Sequence, residues 1–415
     1  MKKNIALLLC ILWGSVAFSQ EMGIKFTQGK TLKELMHLAK TEKKFLFIDC
    51  NASWCAPCRY MNTQIFSDKS VGKFFNSKFV CASIQMDTGR YDNANTKKLY
   101  ADAAMIANTY KIRSYPTFLY FSPTGELMHK VIGATPLVKE FLDYGKIAVN
   151  EDSAFYVLEK QYKSGLLKNP KQLYLLATTA ALLGEENMNE YARSYIATQK
   201  DMYSNKNIDF LKKTAVDIND TSTLYINANE RSFDLEAGWG SAELSIINAL
   251  YNHSKTVIAE AIAKNAEPDW LALEKSLYKK FPKYSSHAVL FYKVLYYEHT
   301  QRTTDLITAA ARYCTLYPKY RDATKLNEWA WSAFLKITDK AVLNDAAAIS
   351  RQAVGLENTS EMIETYACLL YKIGNKDDAI VWEKRAIAKA DIDVEVYKNT
   401  LDQMEKDEKI WENKQ

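Results

Sequence analysis

The sequence has 415 residues, 48% of them hydrophobic and 25% charged, so it is long enough for two or more globular domains. The formal net charge is only +5, and it falls further if an N-terminal segment carrying Lys2 and Lys3 is removed. So small a surplus, with no basic tract along the chain, excludes nucleic acids and other polyanions as expected partners.

Residues 1–19 have the pattern of a secretory signal peptide. Two lysines precede an apolar run at 5–16, and small residues stand at the −3 and −1 positions of a cut before Gln20. The run is shorter than the roughly 20 residues that span a bilayer, and no later segment is long and apolar enough to do so. We expect cleavage and a soluble protein in a bacterial periplasm; an uncleaved anchor and a lipoprotein attached through Cys10 are the alternatives.

The most informative stretch is 45–58, where an apolar run leads into two cysteines. The run predicts a strand covered on both faces. Cys55 falls where a helix should begin, Pro57 stands in its first turn, where a missing N–H costs nothing, and Cys58 lies beside Cys55 on one face. The positive end of the helix dipole favours a thiolate at Cys55, and a thiolate attacks disulfides. We therefore expect Cys55 to be the nucleophile and Cys58 to resolve the mixed disulfide.

Two other uses of the cysteine pair remain open from spacing alone. A zinc site would need two further ligands, but the chain has no second Cys-x-x-Cys and only five His, none in a matching pair. A permanently closed, structural disulfide is the second alternative. We expect no metal and no cofactor.

Residues 49–58 closely resemble the active-site segment of the thioredoxin family, whose pattern is Trp-Cys-Gly-Pro-Cys with a buried Asp six residues before the first Cys. Asp49 stands at that spacing from Cys55. Residues 115–121 are similar to the family's cis-proline and the strand after it, with Pro116 as the proline. The resemblance implies a thioredoxin-like α/β domain over residues 20–149.

The same resemblance implies roles for residues around the cysteines. Asp49 would accept and return the proton of Cys58, although a salt-bridged structural carboxylate is the alternative. Trp54 would cover one side of the pair, and Pro116 with the Tyr115 backbone would hold an extended substrate peptide. The chain departs from the family pattern at Ala56, which replaces Gly, and at Tyr115, which replaces a smaller residue, so the reduction potential and the substrate preference stay open.

The remaining elements of this domain follow from periodicity and turn residues. The predicted order is a strand at 24–26, a helix at 32–39, the strand before Cys55, a helix from Asp68 to Phe75, a strand at 79–86, a helix at 99–110, a strand after Pro116, its hairpin partner at 127–132 and a helix at 136–147. Cys50 and Cys81 are expected to be buried free thiols, and a bridge between them is the alternative.

From about residue 150 the pattern becomes helical to the C-terminus. Near copies at 281–284 and 317–320 each end a predicted helix and indicate helix-pair repeats. The last unit resembles a tetratricopeptide repeat, with Gly374 at the turn and Ala379 and Ala386 as small packing residues. We expect an all-α helical-repeat domain, a tetratricopeptide-like α-solenoid, over 150–415, with its aromatic residues filling the seams between helices or lining a groove for a partner.

These features predict an exported thiol–disulfide oxidoreductase acting on protein disulfides or dithiols through Cys55 and Cys58. Likeness to thioredoxin favours a reductase over an oxidase. A membrane redox partner would return electrons to the cysteine pair. The alternative is a repeat-based binding or chaperone-like protein whose N-terminal domain mainly docks partners.

Overall fold

A computed structural model describes residues 23–320, 322–392 and 394–412 of the chain. The predicted signal peptide at 1–19 lies outside the described residues. The chain divides into two compact units between Met202 and Tyr203, and each unit is described by itself. Among the described residues, no helix is both long enough and apolar enough to cross a membrane.

The first unit contains a sheet and the helices around it. Its elements are α1 (Leu32–Glu42), β1 (Phe45–Asn51), α2 (Ala56–Tyr60), α3 (Lys69–Lys78), β2 (Phe79–Gln85), α4 (Ala94–Lys98), α5 (Tyr100–Thr109), β3 (Thr117–Phe121), β4 (Leu127–Ile132), α6 (Val138–Ala148), α7 (Phe155–Lys163), α8 (Pro170–Leu183) and α9 (Met188–Ile196). This confirms the α/β class and most of the predicted order. The expected strand at 24–26 is reduced to a single bridge between Phe26 and Cys81.

In the described part of the chain, the sheet has four strands in the order β2-β1-β3-β4. β1 runs parallel to β2 and antiparallel to β3, and β3 forms a hairpin with β4. β1 is therefore central, and its register sets Asp49 opposite Ser83 of β2 and Phe118 of β3. A residue on β1 can thus contact side chains of both neighbouring strands.

Alternation along β1 divides the core into two layers. Leu46, Ile48 and Cys50 pack with residues of α1 and α5 on one face of the sheet. Phe47 packs on the other face in an aromatic cluster that includes Phe75 of α3 and Phe141 of α6. The predicted strand covered on both faces is confirmed.

Cys50 and Cys81 belong to these two different layers, so the sheet lies between them. Both are buried free thiols, as expected, and they form no bridge. Burial raises the pKa of each thiol well above its usual value, which keeps both unreactive at neutral pH.

The helices that follow residue 149 pack against the sheet of the first unit. The backbone N–H of Phe155, at the start of α7, donates to Nδ1 of the buried His129 on β4 at 3.3 Å. Lys130, also on β4 and buried, forms an ion pair with Glu185 after α8, at 3.5 Å. The limit of the thioredoxin-like domain at 149 stays a prediction, while the compact unit extends to Met202.

In its described residues the second unit is entirely helical. Its helices are α10 (Asn205–Thr214), α11 (Thr221–Ala228), α12 (Glu230–Ala237), α13 (Ser241–Lys264), α14 (Trp270–Lys280), α15 (Ser285–His299), α16 (Thr303–Leu316), α17 (Ala323–Lys336), α18 (Lys340–Leu356), α19 (Ser360–Ile373), α20 (Lys376–Lys389) and α21 (Val394–Glu405). The all-α class of this region is confirmed, and the sequences at 281–284 and 317–320 follow helix ends as predicted.

The pair formed by α19 and α20 shows how the second unit is built. Gly374 ends α19 with a φ of 96°, a conformation that glycine adopts without strain, and α20 returns after it. Ala379 and Ala386 are fully buried, and the rings of Tyr366 and Trp382 pack edge to face at 5.0 Å between the two helices. These aromatic residues fill a seam, as expected; the tetratricopeptide resemblance itself stays a prediction.

Candidate active site

The two cysteines predicted to be reactive form a disulfide at the start of α2. Cys55 is the N-cap in an extended conformation, Pro57 lies in the first turn, and the Cα atoms of Cys55 and Cys58 are 5.3 Å apart. The backbone N–H of Cys58 donates to Cys55 Sγ at 3.1 Å. The helix start therefore offers a hydrogen-bond donor and the positive end of its dipole to the sulfur that becomes a thiolate on reduction.

Helical backbone continues beyond α2 and anchors it. Residues Met61–Ile65 follow directly as a π-helical turn, and the side chains of Met61 and Ile65 are buried against the aromatic layer. The disulfide thus sits on an element fixed by the core of the sheet, which holds the two sulfur atoms in position.

An aromatic pair borders the disulfide. Tyr115 packs against the buried cluster formed by Ala52, Cys55 and Cys58, and its ring meets that of Trp54 edge to face at 5.8 Å. Trp54 is 68% exposed, whereas Cys55 is only 2% and Cys58 only 8% exposed. The exposed indole offers an apolar surface beside sulfur atoms that are themselves largely covered.

Pro116 follows Tyr115 in the loop before β3. The peptide bond between them is cis, as expected from the sequence. The carbonyl oxygen of Pro116 accepts a hydrogen bond from the N–H of Gly133 at 2.9 Å, which fixes the loop to the end of β4. Because Tyr115 belongs to this loop and packs against the cluster that contains the cysteines, the loop lies beside the disulfide.

Asp49 is buried in the middle of β1, with 5% of its surface exposed. Its Oδ2 accepts hydrogen bonds from Ser83 Oγ and Asn51 Nδ2, each at 3.0 Å, while Oδ1 is buried and accepts none from the described residues. Burial raises the pKa of this carboxyl to about 6, partly offset by the two hydrogen bonds. It bears no salt bridge to a described residue, so the salt-bridged alternative finds no support.

The loop between β1 and α2 is held by a residue that the motif search did not identify. Asp87, just after β2, accepts from the backbone N–H of Ser53 at 2.9 Å and from its hydroxyl. Arg59 of α2 donates to the Ser53 carbonyl oxygen at 3.3 Å. Asn51 and Ser83 were also missed: alternation along β1 places Asn51 on the face of Asp49, but Ser83 becomes visible only through the strand register.

The structure therefore brings the predicted residues into two groups. Trp54, Tyr115 and the disulfide form one surface, and Pro57 and Pro116 belong to the backbone that shapes it. Asp49 lies in the strand that leads into this surface. In the described parts of the chain, no group of three or more His, Cys, Asp or Glu residues is placed to hold a metal ion.

Known proteins are similar to part of the chain. The family model of a thioredoxin-like domain matches residues 32–146. Thioredoxin from Buchnera aphidicola is 30% identical over 102 residues, which make up 24% of this chain and 79% of that protein. The chain belongs to the thioredoxin family.

Two further similarities were found. Thioredoxin H4 from Arabidopsis thaliana is 30% identical over 96 residues, which span 23% of this chain and 66% of that protein's length. The solution structure of a thioredoxin from Thermus thermophilus is 24% identical, covers 31% of this chain and 89% of that chain, and gives a TM-score of 0.25. The thioredoxin-like domain, with its Cys55–Cys58 disulfide, has the site of a thiol–disulfide oxidoreductase.

Proposed function

We propose that the protein is an exported thiol–disulfide oxidoreductase that exchanges its Cys55–Cys58 pair with protein substrates, as a reductase rather than an oxidase. The observation that carries the proposal is the disulfide at the start of α2, where Cys55 Sγ accepts the N–H of Cys58 at 3.1 Å. The proposal that the protein is exported rests on the signal-peptide pattern of residues 1–19. The direction rests on likeness to thioredoxin.

The reaction begins from the reduced pair. The Cys55 thiolate attacks one sulfur of a substrate disulfide, a mixed disulfide forms, and the other substrate sulfur leaves as a thiolate that takes a proton from water. Asp49 then takes the proton of Cys58, and the Cys58 thiolate attacks Cys55 Sγ. The Cys55–Cys58 bond forms, the second substrate sulfur leaves, and two electrons have passed to the substrate.

A carboxyl with a pKa of about 6 suits the second step. At neutral pH it is mostly ionised and can accept a proton, yet it is basic enough to hold that proton for the following transfer. An ordinary surface Asp would hold a proton less readily, because its pKa lies about two units lower.

The surface around the disulfide suits an extended peptide. Trp54 and Tyr115 supply apolar ring surface, and the loop before β3 supplies backbone at its cis-proline. We expect substrate proteins to lie across this surface with their reactive sulfur at Cys55. A membrane redox partner would return electrons to the pair after each turnover.

Trapping tests this function directly. Cys58→Ser keeps the nucleophile but removes the resolving thiol, so disulfide-linked adducts with substrate proteins should accumulate at Cys55. The matched control is the Cys55→Ser, Cys58→Ser double variant, which should trap nothing. If the single variant also traps no protein in the periplasm of the source cells, the proposal of protein substrates fails.

One observation favours a second candidate, a binding module in the helical unit. A groove of about 750 Å³ runs along α13 and α15, and apolar side chains such as Ile258, Ile262 and Leu295 line it. A groove of this kind can hold a peptide. Full rescue of a deletion strain by the double cysteine variant would favour binding as the main function, whereas loss of rescue would favour the redox chemistry.

A further inference from the structure

A polar cleft opens at the carboxyl ends of β1 and β2. It has a volume of about 220 Å³, room for several water molecules, and its polar lining includes Asn51, Ser83, Gln85, Asn93, Asn95 and Thr96. Most of the lining consists of amides and hydroxyls, which are groups that bind water or relay protons. The motifs of the family resemblance do not account for this cleft.

Two of the lining residues reach the buried carboxyl of Asp49. Ser83 is exposed and Asn51 half-buried, yet both donate to Oδ2 of Asp49 at 3.0 Å. Asn51 Nδ2 also donates to Ser83 Oγ at 2.8 Å, so the three side chains form a closed triangle. The buried carboxyl is thus separated from the cleft by a single layer of polar side chains.

The two carboxyl oxygens of Asp49 have different hydrogen-bond partners within this triangle of side chains. Oδ2 is held from the cleft side by two donors, while Oδ1 is buried without a hydrogen bond from the described residues. A buried acceptor without a hydrogen bond destabilises the folded protein. If Oδ1 takes up a proton and the resulting O–H donates to another group, that destabilisation is removed. Oδ1 is therefore the atom left to receive a proton from the protein interior.

We propose that Asn51 and Ser83 are positioning residues for Asp49: they fix Oδ2, leave Oδ1 as the proton acceptor, and connect the carboxyl to solvent through the cleft. The inference rests on the proposed function for the source of the proton, the Cys58 thiol. After Cys58 has attacked Cys55, the carboxylic acid rotates or shifts its proton to Oδ2. Ser83 Oγ accepts that proton and releases its own to water in the cleft, which restores the carboxylate.

The route is consistent with the groups around Asp49. The Cys50 thiol on the same strand and the Tyr120 phenol on β3 both sense its charge, and burial raises both of their pKa values well above the usual range. The neighbour on β2 is the neutral Ser83 hydroxyl, and the neighbour on β3 is the apolar Phe118. A titration near pH 6 in this region therefore belongs to Asp49.

The positioning role is tested by titrating the Asp49 carboxyl carbon by NMR in the full-length oxidised protein, which requires no substrate. Ser83→Ala removes a donor to the carboxylate, so the pKa of Asp49 should rise by about one unit. Asn51→Ala should also raise it, and Ser83→Thr, which keeps the hydroxyl, should restore the wild-type value. The control is Ser77→Ala, an exposed serine whose hydroxyl donates to the Phe74 carbonyl oxygen. An unchanged pKa in both Ser83→Ala and Asn51→Ala would overturn the positioning role, whether or not the protein exchanges disulfides.

The solvent route has its own test. Thr96→Trp places a large ring at the cleft wall and leaves both donors to Asp49 in place. We expect kcat for disulfide exchange to fall several-fold and its solvent deuterium isotope effect to rise, while the pKa of Asp49 stays within a few tenths of wild type. If kcat and the isotope effect both match wild type, the proton leaves by another path and the route is wrong. Failure of the proposed function would appear differently, as no exchange activity in the wild-type protein.

Discussion

The two compact units use cysteine in opposite ways. In the first unit, Cys55 and Cys58 lie at a helix start beside an exposed indole and form a disulfide. In the second unit, Cys314 and Cys368 lie inside helices, are at most 2% exposed, and pack within the hydrophobic core. The residue type is the same in both units, so the position of a cysteine in the backbone decides whether its thiol is reactive or structural.

Each unit buries a carboxyl whose pKa burial raises, but the two carboxyls have different surroundings: Asp220 of the helical unit accepts from the backbone N–H groups of Val216 and Asp217. The sheet unit keeps a carboxyl in the middle of its central strand, with only two hydrogen bonds and a raised pKa. Burial of such a group lowers stability, and natural proteins retain such costs mainly at functional sites. Only Asp49 lies in the strand that leads to the disulfide, so changes at Asp49 should alter the chemistry, while changes at Asp220 should alter only stability.

The largest expected effect is on turnover in Asp49→Asn. The variant cannot accept the Cys58 proton, so disulfide exchange at pH 7 should slow by about 10²-fold. The wild-type rate should increase as pH rises through about 6, where Asp49 ionises, and the variant should lack that step. Asp152→Asn on the surface of the same unit is the control. A pH–rate profile for Asp49→Asn identical to wild type would remove Asp49 from the mechanism.

The same substitution should stabilise the fold. The pKa of Asp49 is about 6 in the folded protein, against an ordinary value of 3.8 for an Asp carboxyl, so the folded state binds the proton more tightly and loses stability as pH rises through that window. Asp49→Asn should raise the free energy of unfolding at pH 8 by up to about 3 kcal/mol and change it little at pH 3. Urea unfolding of the oxidised protein at both pH values measures this. A variant less stable than wild type at pH 8 would contradict the account.

A smaller effect is expected from uncovering the disulfide. Tyr115 packs against the cluster that contains both cysteines, so Tyr115→Ala should expose them and speed reduction of the disulfide by dithiothreitol several-fold. Tyr115→Phe, which keeps the ring, should react at the wild-type rate. Equal rates for the Ala and Phe variants would show that the ring does not shield the sulfur atoms.

The smallest effect on chemistry is expected in the helical unit. Cys368 is fully buried in α19, so Cys368→Ala should lower the free energy of unfolding by about 1 kcal/mol and leave the exchange rate unchanged. Chemical denaturation measures the free energy of unfolding, and a disulfide reduction assay measures the exchange rate. A change in exchange rate would break the contrast between the two units.

The sequence alone predicted the features that depend on local pattern. The apolar strand, the helix start at Cys55 and the turn at Gly374 each follow from residues adjacent in the chain, and each is present. Asp49 was found because its distance from Cys55 matches the family pattern. Local periodicity and capping were enough in these cases.

Features that depend on long-range pairing were not predicted. Ser83 contacts Asp49 only because β1 and β2 align Asp49 with Ser83, and Asp87 holds Ser53 only because the two loops end at the same edge of the sheet. The segment at 24–26 has the composition of a strand but pairs at a single residue. Such contacts depend on tertiary packing, and the periodicity of a single segment gives no information about which segments pair.

The most direct test of the central claim is the alkylation rate of Cys55 in the reduced protein as a function of pH. A thiolate stabilised at the start of α2 should react with iodoacetamide at an apparent pKa clearly below the value of about 8.5 for a free cysteine. Cys50, Cys81, Cys314 and Cys368 should stay unmodified in the folded protein. A Cys55 that titrates at or above the free-cysteine value, or reacts no faster than the buried thiols, would contradict the account.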